Sequence, residues 1–221
     1  MKIEDYDVDI YAGGAGAPLV LMNAFENEGK ETFEELRKLT ASGFSLAAVR
    51  ITKWNRDMSP WEAAPVFRND DPFTGGADAY LDKLTGEILP AVINELGSKP
   101  AYIALAGYSL AGLFAVYAMY RTSAFSRIVS ASGSMWYPEF VEFAKSHELA
   151  SRPEKLYLSL GDKESKTRNK IMEPVERNTA ELHECYRSLG IDTVFELNPG
   201  NHFQNPADRL AKGIAWVLGD R

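Results

Sequence analysis

The stretch Gly107-Tyr108-Ser109-Leu110-Ala111-Gly112 stands between an apolar run of strand length, Ala101 to Ala106, and a segment from Leu110 to Tyr120 that is apolar on nearly all sides. A helix of that kind is buried. A strand that turns directly into a buried helix admits only small residues around the turn. It lifts the central serine out of the sheet with its hydroxyl free, the geometry of a nucleophile elbow. The helix start also aims its N–H groups at the same point. The stretch departs from Gly-x-Ser-x-Gly at the fifth position, where Ala111 stands, but alanine is the smallest substitute and Gly112 follows at once. The bland alternative is a serine in a Gly-rich, anion-binding turn; the strand–turn–helix context favours the nucleophile.

The rest of the chain alternates in the same way. Strand-like runs fall at Pro18–Asn23, Phe44–Ile51, Ala101–Ala106, Arg127–Ala131, Lys155–Leu160 and Thr193–Leu197. Helical spacing lies between them. Thr32 and Glu35 have capping-box spacing before Leu36 and Leu39, with Gly43 as a stop. Leu81, Leu84, Ile88, Val92 and Leu96 share one face of a helix that Pro90 should bend. Helices are also expected over 138–149, over 169–189 and from the Asn205-Pro206 start through Leu218. Alternating strands and helices predict an α/β fold, a mostly parallel sheet with helices on both faces. Residues 53–76, with two Trp, three Pro and two Gly, fit neither period and read as a long loop of the functional kind. No linker or repeat divides the 221 residues, which read as one domain with a minimal lid.

Composition narrows the function. With 24 Lys+Arg against 31 Asp+Glu the net charge is −7, which disfavours nucleic acid and anionic membrane as partners. No apolar run reaches the roughly 18 residues of a membrane span. The single Cys185 excludes a disulfide framework and a Cys-based metal site, and it reads as a buried, inert thiol. Three histidines leave little room for another metal site, so no metal or cofactor is expected. The polar start Met1–Asp5 lacks a signal-peptide core, and a cytoplasmic location is expected.

A serine nucleophile needs a base and an acid, and in this class of sheet they follow it in the order acid, then histidine. His202 lies after the last strand in Asn198-Pro199-Gly200-Asn201-His202-Phe203 and is the expected base. His147 and His183 sit within helices and read as structural. The acid should follow the strand ending at Leu160, where Gly161-Asp162-Lys163-Glu164 offers two carboxylates. Glu164, three residues past the glycine, has the better reach; Asp162 is the second candidate, more suited to capping local amides. The oxyanion hole needs Leu110 N–H and a second amide from Asn23-Ala24-Phe25, either Ala24 or Phe25. Trp54, Trp61, Trp136 and Tyr137 wall a substrate pocket or pack under the loop. Arg56 touches substrate or pairs with Asp57.

These residues resemble the putative-esterase group of α/β-hydrolases, which includes enterochelin-type siderophore esterases, S-formylglutathione hydrolases, feruloyl esterases and mycolyltransferases. The likeness runs from about Leu19 to Trp216. It rests on Gly107-Tyr-Ser-Leu-Ala-Gly-Leu-Phe-Ala115, Arg56-Asp-Met-Ser-Pro60, Ser132-Gly-Ser-Met-Trp136 and the acid turn Leu160–Glu164. The resemblance implies Ser109, Glu164 and His202 as a triad, with Phe25 preferred as the second oxyanion donor. Some members work with a Ser–His dyad. Asn23-Ala24 stands where some members have Asp-Gly. The implied function is hydrolysis of a small-molecule carboxylic ester through an acyl-enzyme. Acyl transfer, thioester or peptide cleavage on the same triad is the alternative, and an inactive binding protein the alternative of another class.

Overall fold

A computed structural model describes residues 1–219; the last two positions of the expected 1–221 domain lie outside the described residues. The chain runs β1 (Lys2–Ile3), β2 (Tyr6–Tyr11), β3 (Leu19–Ala24), α1 (Glu28–Leu39), β4 (Ser45–Arg50), α2 (Trp54–Asp57), β5 (Glu62–Ala63), β6 (Phe73–Thr74), α3 (Ala77–Lys83), α4 (Leu89–Leu96), β7 (Ile103–Tyr108) and α5 (Leu110–Ala118). It continues with β8 (Arg127–Ala131), α6 (Phe140–Ser146), β9 (Lys155–Gly161), α7 (Val175–Ser188), β10 (Asp192–Asn198) and α8 (Pro206–Leu218). Among the described residues the main sheet has eight strands in the order β1-β2-β4-β3-β7-β8-β9-β10. From β4 to β10 all neighbours are parallel. β1 and β2 extend the sheet antiparallel.

The central strands are buried along their whole length, save Ile103 at the start of β7, because helices cover both faces. Leu19, Leu21 and Leu105 face Leu113, Phe114 and Leu84 on one side. Val20, Met22 and Ala104 alternate to the other, against Leu36 of α1 and Ile214 of α8. The strand order reverses between β3 and β7, since the chain leaves β3 for β4 on one side and returns to β7 on the other. Ligands bind beyond the carboxyl ends of the strands at such a point. The register pairs Asn23 with Gly107 there, so the Ala24–Phe25 turn and Ser109 emerge side by side.

Several expected elements shift. The first helix starts at Glu28, four residues before the Thr32–Glu35 capping box, and Thr32 is buried within it. The helix expected over 77–96 widens into a π-helical turn at Leu84–Ile88, just ahead of Pro90. Pro90 has no N–H to give the Gly86 carbonyl and would clash with it; the wide turn relieves this, and Pro90 falls in the first turn of α4. The 53–76 segment contains α2 and the small β5–β6 pair. Strands β1 and β2 stand where the sequence reading placed no element.

Candidate active site

The elbow is built by close approach. Ser109 has φ +58° and ψ −123°, a conformation costing about 1–3 kcal/mol for a residue with a side chain. The surroundings hold it there. Ser109 N–H donates to Ala131 O at 3.1 Å, and Ser109 O accepts from Ser134 N–H at 3.0 Å. A side chain at Gly107 would strike the Ala111 carbonyl at 2.3 Å and its Cβ at 2.8 Å, and one at Gly112 would lie 2.9 Å from Ser130 Oγ. Ala111 is therefore compatible with the turn because Gly107 makes room for its methyl group.

His202 Nε2 lies 3.0 Å from Ser109 Oγ, and Nδ1 lies 2.7 Å from Glu164 Oε2. A carboxylate can only accept, so the neutral ring carries its proton on Nδ1 and leaves Nε2 to accept from the serine. The Glu164 side chain folds back over its own turn: its other oxygen accepts from Gly161 N–H at 2.6 Å and from Ser132 Oγ at 2.7 Å. Arg209 Nη1 of α8 lies 3.1 Å from the same oxygen. Burial raises the Glu164 carboxyl, but the His202 hydrogen bond and charge, with the Gly161 and Ser132 donors, outweigh it. The net effect is a value below the usual carboxylate range.

Asp162 does something else. Its Oδ1 accepts from Gly200 N–H at 2.7 Å, while its own N–H donates to Asn198 O and Lys163 N–H donates to Gly200 O. It ties the acid turn to the histidine loop. Tyr108 supports that loop too, donating to His202 O at 2.6 Å. Arg209, Ser132 and Tyr108 were not singled out as site residues from the sequence. Arg209 had a signal, since it stands on the apolar face of α8 with Gly213 and Val217, all three buried.

The oxyanion candidates differ in state. Leu110 is the first residue of α5, so its N–H has no acceptor within the helix. Ala24 ends β3 in register with Arg50 and belongs to the ladder. Phe25 lies one residue beyond, but its N–H donates to Glu28 Oε2 at 2.8 Å.

Among the expected pocket aromatics, Trp54 packs edge-on against Phe25 and lines, with Phe25, Lys53 and Arg56, a cavity of about 580 Å³. Tyr137 is 2% exposed and donates to Trp61 O, while Trp61 Nε1 donates to Pro138 O. These two, with half-buried Trp136 beside Phe73, pack beneath the loop. Arg56 both lines the cavity and pairs with the buried Asp57, donating from Nε at 2.7 Å. Cys185 is partly exposed instead of buried, being one position off the Leu182 and Tyr186 stripe of α7. Among the described residues no cluster of His, Cys, Asp or Glu could hold a metal ion, and no helix is long and apolar enough to cross a membrane.

A strand–elbow–helix serine next to a histidine that follows the last strand is the arrangement the resemblance implied. The family described as "Putative esterase" matches residues 23–203, most of the chain. The chain belongs to this family. It is an esterase with the α/β-hydrolase fold. A sequence relative, the uncharacterized protein YbbA of Bacillus subtilis (strain 168), is 25% identical over 211 residues, covering 88% of this chain and 84% of the relative. The fold is shared with the siderophore hydrolase EstA from Aspergillus nidulans, at a TM-score of 0.76 and 19% identity over 98% of this chain and 91% of that one. An IroE-like serine hydrolase from Shewanella oneidensis gives a TM-score of 0.78 and 17% identity over 96% of this chain and 75% of that one.

Proposed function

We propose that Ser109, His202 and Glu164 form a catalytic triad that cleaves a carboxylic ester through an acyl-enzyme on Ser109. The observation that carries this reading is the unbroken hydrogen-bond chain Ser109 Oγ–His202 Nε2/Nδ1–Glu164 Oε2, at 3.0 and 2.7 Å. His202 Nε2 takes the serine proton as Oγ attacks the ester carbonyl. Glu164 holds the ring in the required tautomer and stabilises the imidazolium. The N–H groups of Leu110 and Phe25 receive the developing oxyanion. The imidazolium returns its proton to the leaving alcohol, and water, activated by the same nitrogen, releases the acid.

The substrate in this reading is an ester with a bulky or aromatic part. Support comes from the cavity beside Phe25 and Trp54, and from Phe203, 86% exposed next to His202. Two neighbours in fold are siderophore hydrolases, and siderophore-type esters are a natural class to include. A cytoplasmic setting agrees with the unpaired Cys185 and is tested by cell fractionation. The mechanism is tested by stopped-flow turnover of 4-nitrophenyl esters of graded acyl size. A nitrophenol burst, with an acyl adduct on the Ser109 peptide by mass spectrometry, is expected. Steady release with no adduct at any acyl size would contradict an accumulating acyl-enzyme and favour direct attack by water.

A further inference from the structure

The second amide of the proposed oxyanion site is already in use. Phe25 N–H donates to Glu28 Oε2 at 2.8 Å, and Glu28 N–H donates back to Phe25 O at 3.1 Å. A negatively charged oxygen thus sits on the donor that a tetrahedral intermediate requires. No salt bridge among the described residues engages Glu28 or its neighbours Glu26 and Glu31. Nothing cationic therefore holds the carboxylate elsewhere.

We propose that Glu28 gates the oxyanion site: its carboxylate caps the Phe25 amide in the resting enzyme and must be displaced by the substrate's carbonyl oxygen. The proposal rests on the serine mechanism above. A carboxylate accepts an N–H more strongly than a neutral ester carbonyl does. The ester in its ground state competes poorly for Phe25, whereas the oxyanion of the intermediate competes on equal terms. The cost of displacement therefore falls on kcat/KM. Glu28 becomes the residue that sets how readily a substrate engages the site.

The electrostatic setting agrees. Glu28 is half-buried. Burial raises its carboxyl above the ordinary value against the opposing Phe25 N–H, the like charges of Glu31 and Glu26 raise it further, and His202 pulls it down. Glu28 and His202 therefore feel each other's charge.

The test compares wild type with Glu28→Ala and Glu28→Gln, using 4-nitrophenyl acetate as substrate and phenylboronic acid as a tetrahedral mimic. Glu28→Ala is expected to raise kcat/KM and tighten the inhibition constant by about 5–10-fold, the worth of one competing hydrogen bond. Glu28→Gln, which keeps a neutral acceptor, should fall between. In both variants the gain should appear in kcat/KM and in boronate affinity together, which mere support of the loop would not produce. If Glu28→Ala does not fold, Glu28→Gln decides by the same two measures. Variants no faster than wild type and no tighter for phenylboronic acid, with Ser109→Ala inactive, overturn the gate and leave the serine mechanism standing. An active Ser109→Ala protein overturns both.

Discussion

Arg209, 1% exposed, places its Nη1 3.1 Å from Glu164 Oε1, so the proposed triad acid has a buried counterion. The same guanidinium donates to Pro199 O at 2.9 Å and to Ser132 Oγ at 3.2 Å. One residue of α8 thereby joins the acid turn, the histidine loop and the turn after β8. Removing one partner of a buried ion pair leaves an uncompensated charge and costs about 3–5 kcal/mol. Arg209→Met is expected to lose stability on that scale in urea unfolding and to lower kcat in the protein that remains folded. Arg209→Lys cannot reproduce the fork and should recover only part of either.

Glu164→Gln and Asp162→Asn should separate cleanly. The glutamine can no longer stabilise the imidazolium, and a loss of about 10³–10⁴-fold in kcat is expected. Asp162 holds Gly200 N–H, a bond an asparagine oxygen can still accept, so its loss should be about tenfold or less. Steady-state kinetics at neutral pH decide. Two mild variants would mean that Ser109 and His202 work as a dyad.

The ionisation of Glu164 also predicts a pH dependence of stability. Its folded value lies below the ordinary 4.5, so the folded state favours the carboxylate. That contribution is complete above the unfolded value and is lost as pH falls through the lower folded one. The stability difference between wild type and Glu164→Gln should be flat from pH 6 to 8 and narrow below about pH 4.5. Urea midpoints across that range measure it, and a gap independent of pH would contradict the assignment.

Cys185→Ala should leave activity and stability nearly unchanged, since the thiol is partly exposed on α7, away from the elbow. Turnover should also survive exhaustive chelation and dialysis. Inactivation of wild type by a thiol reagent that spares Cys185→Ala, or a loss restored by one divalent metal, would count against this.

The sheet and the hydrogen-bonded candidates Ser109, His202 and Glu164 were legible because each has a local signature. Ser109 is fixed by small residues within two positions of the turn, and His202 and Glu164 follow strand ends at β10 and β9. The supporting residues were not legible, because their partners are distant in sequence. Ser132 and Arg209 converge on Glu164 from positions 32 and 45 residues away. Glu28 was overlooked because Thr32–Glu35 offered a better capping pattern than Asn27, which starts α1 without a side-chain cap. In β2 the buried Tyr6 and Val8 alternate with outward Asp7 and Asp9, a short signal lost in an acidic terminus. Tyr137 and Trp61 read from the sequence either as pocket walls or as packing, because loop aromatics serve both roles; the bond from the Tyr137 hydroxyl to the Trp61 carbonyl places them in the packing.

The central claim is that Ser109 is the nucleophile, activated by His202. The most direct measurement is labelling with a fluorophosphonate, followed by peptide mass spectrometry and ester turnover, on wild type and Ser109→Ala. The expected result is stoichiometric modification of Ser109 alone, with loss of turnover in proportion. The alanine variant should be folded, unlabelled and slower by about a millionfold. Labelling at another residue, or a Ser109→Ala protein that still hydrolyses esters, would contradict it.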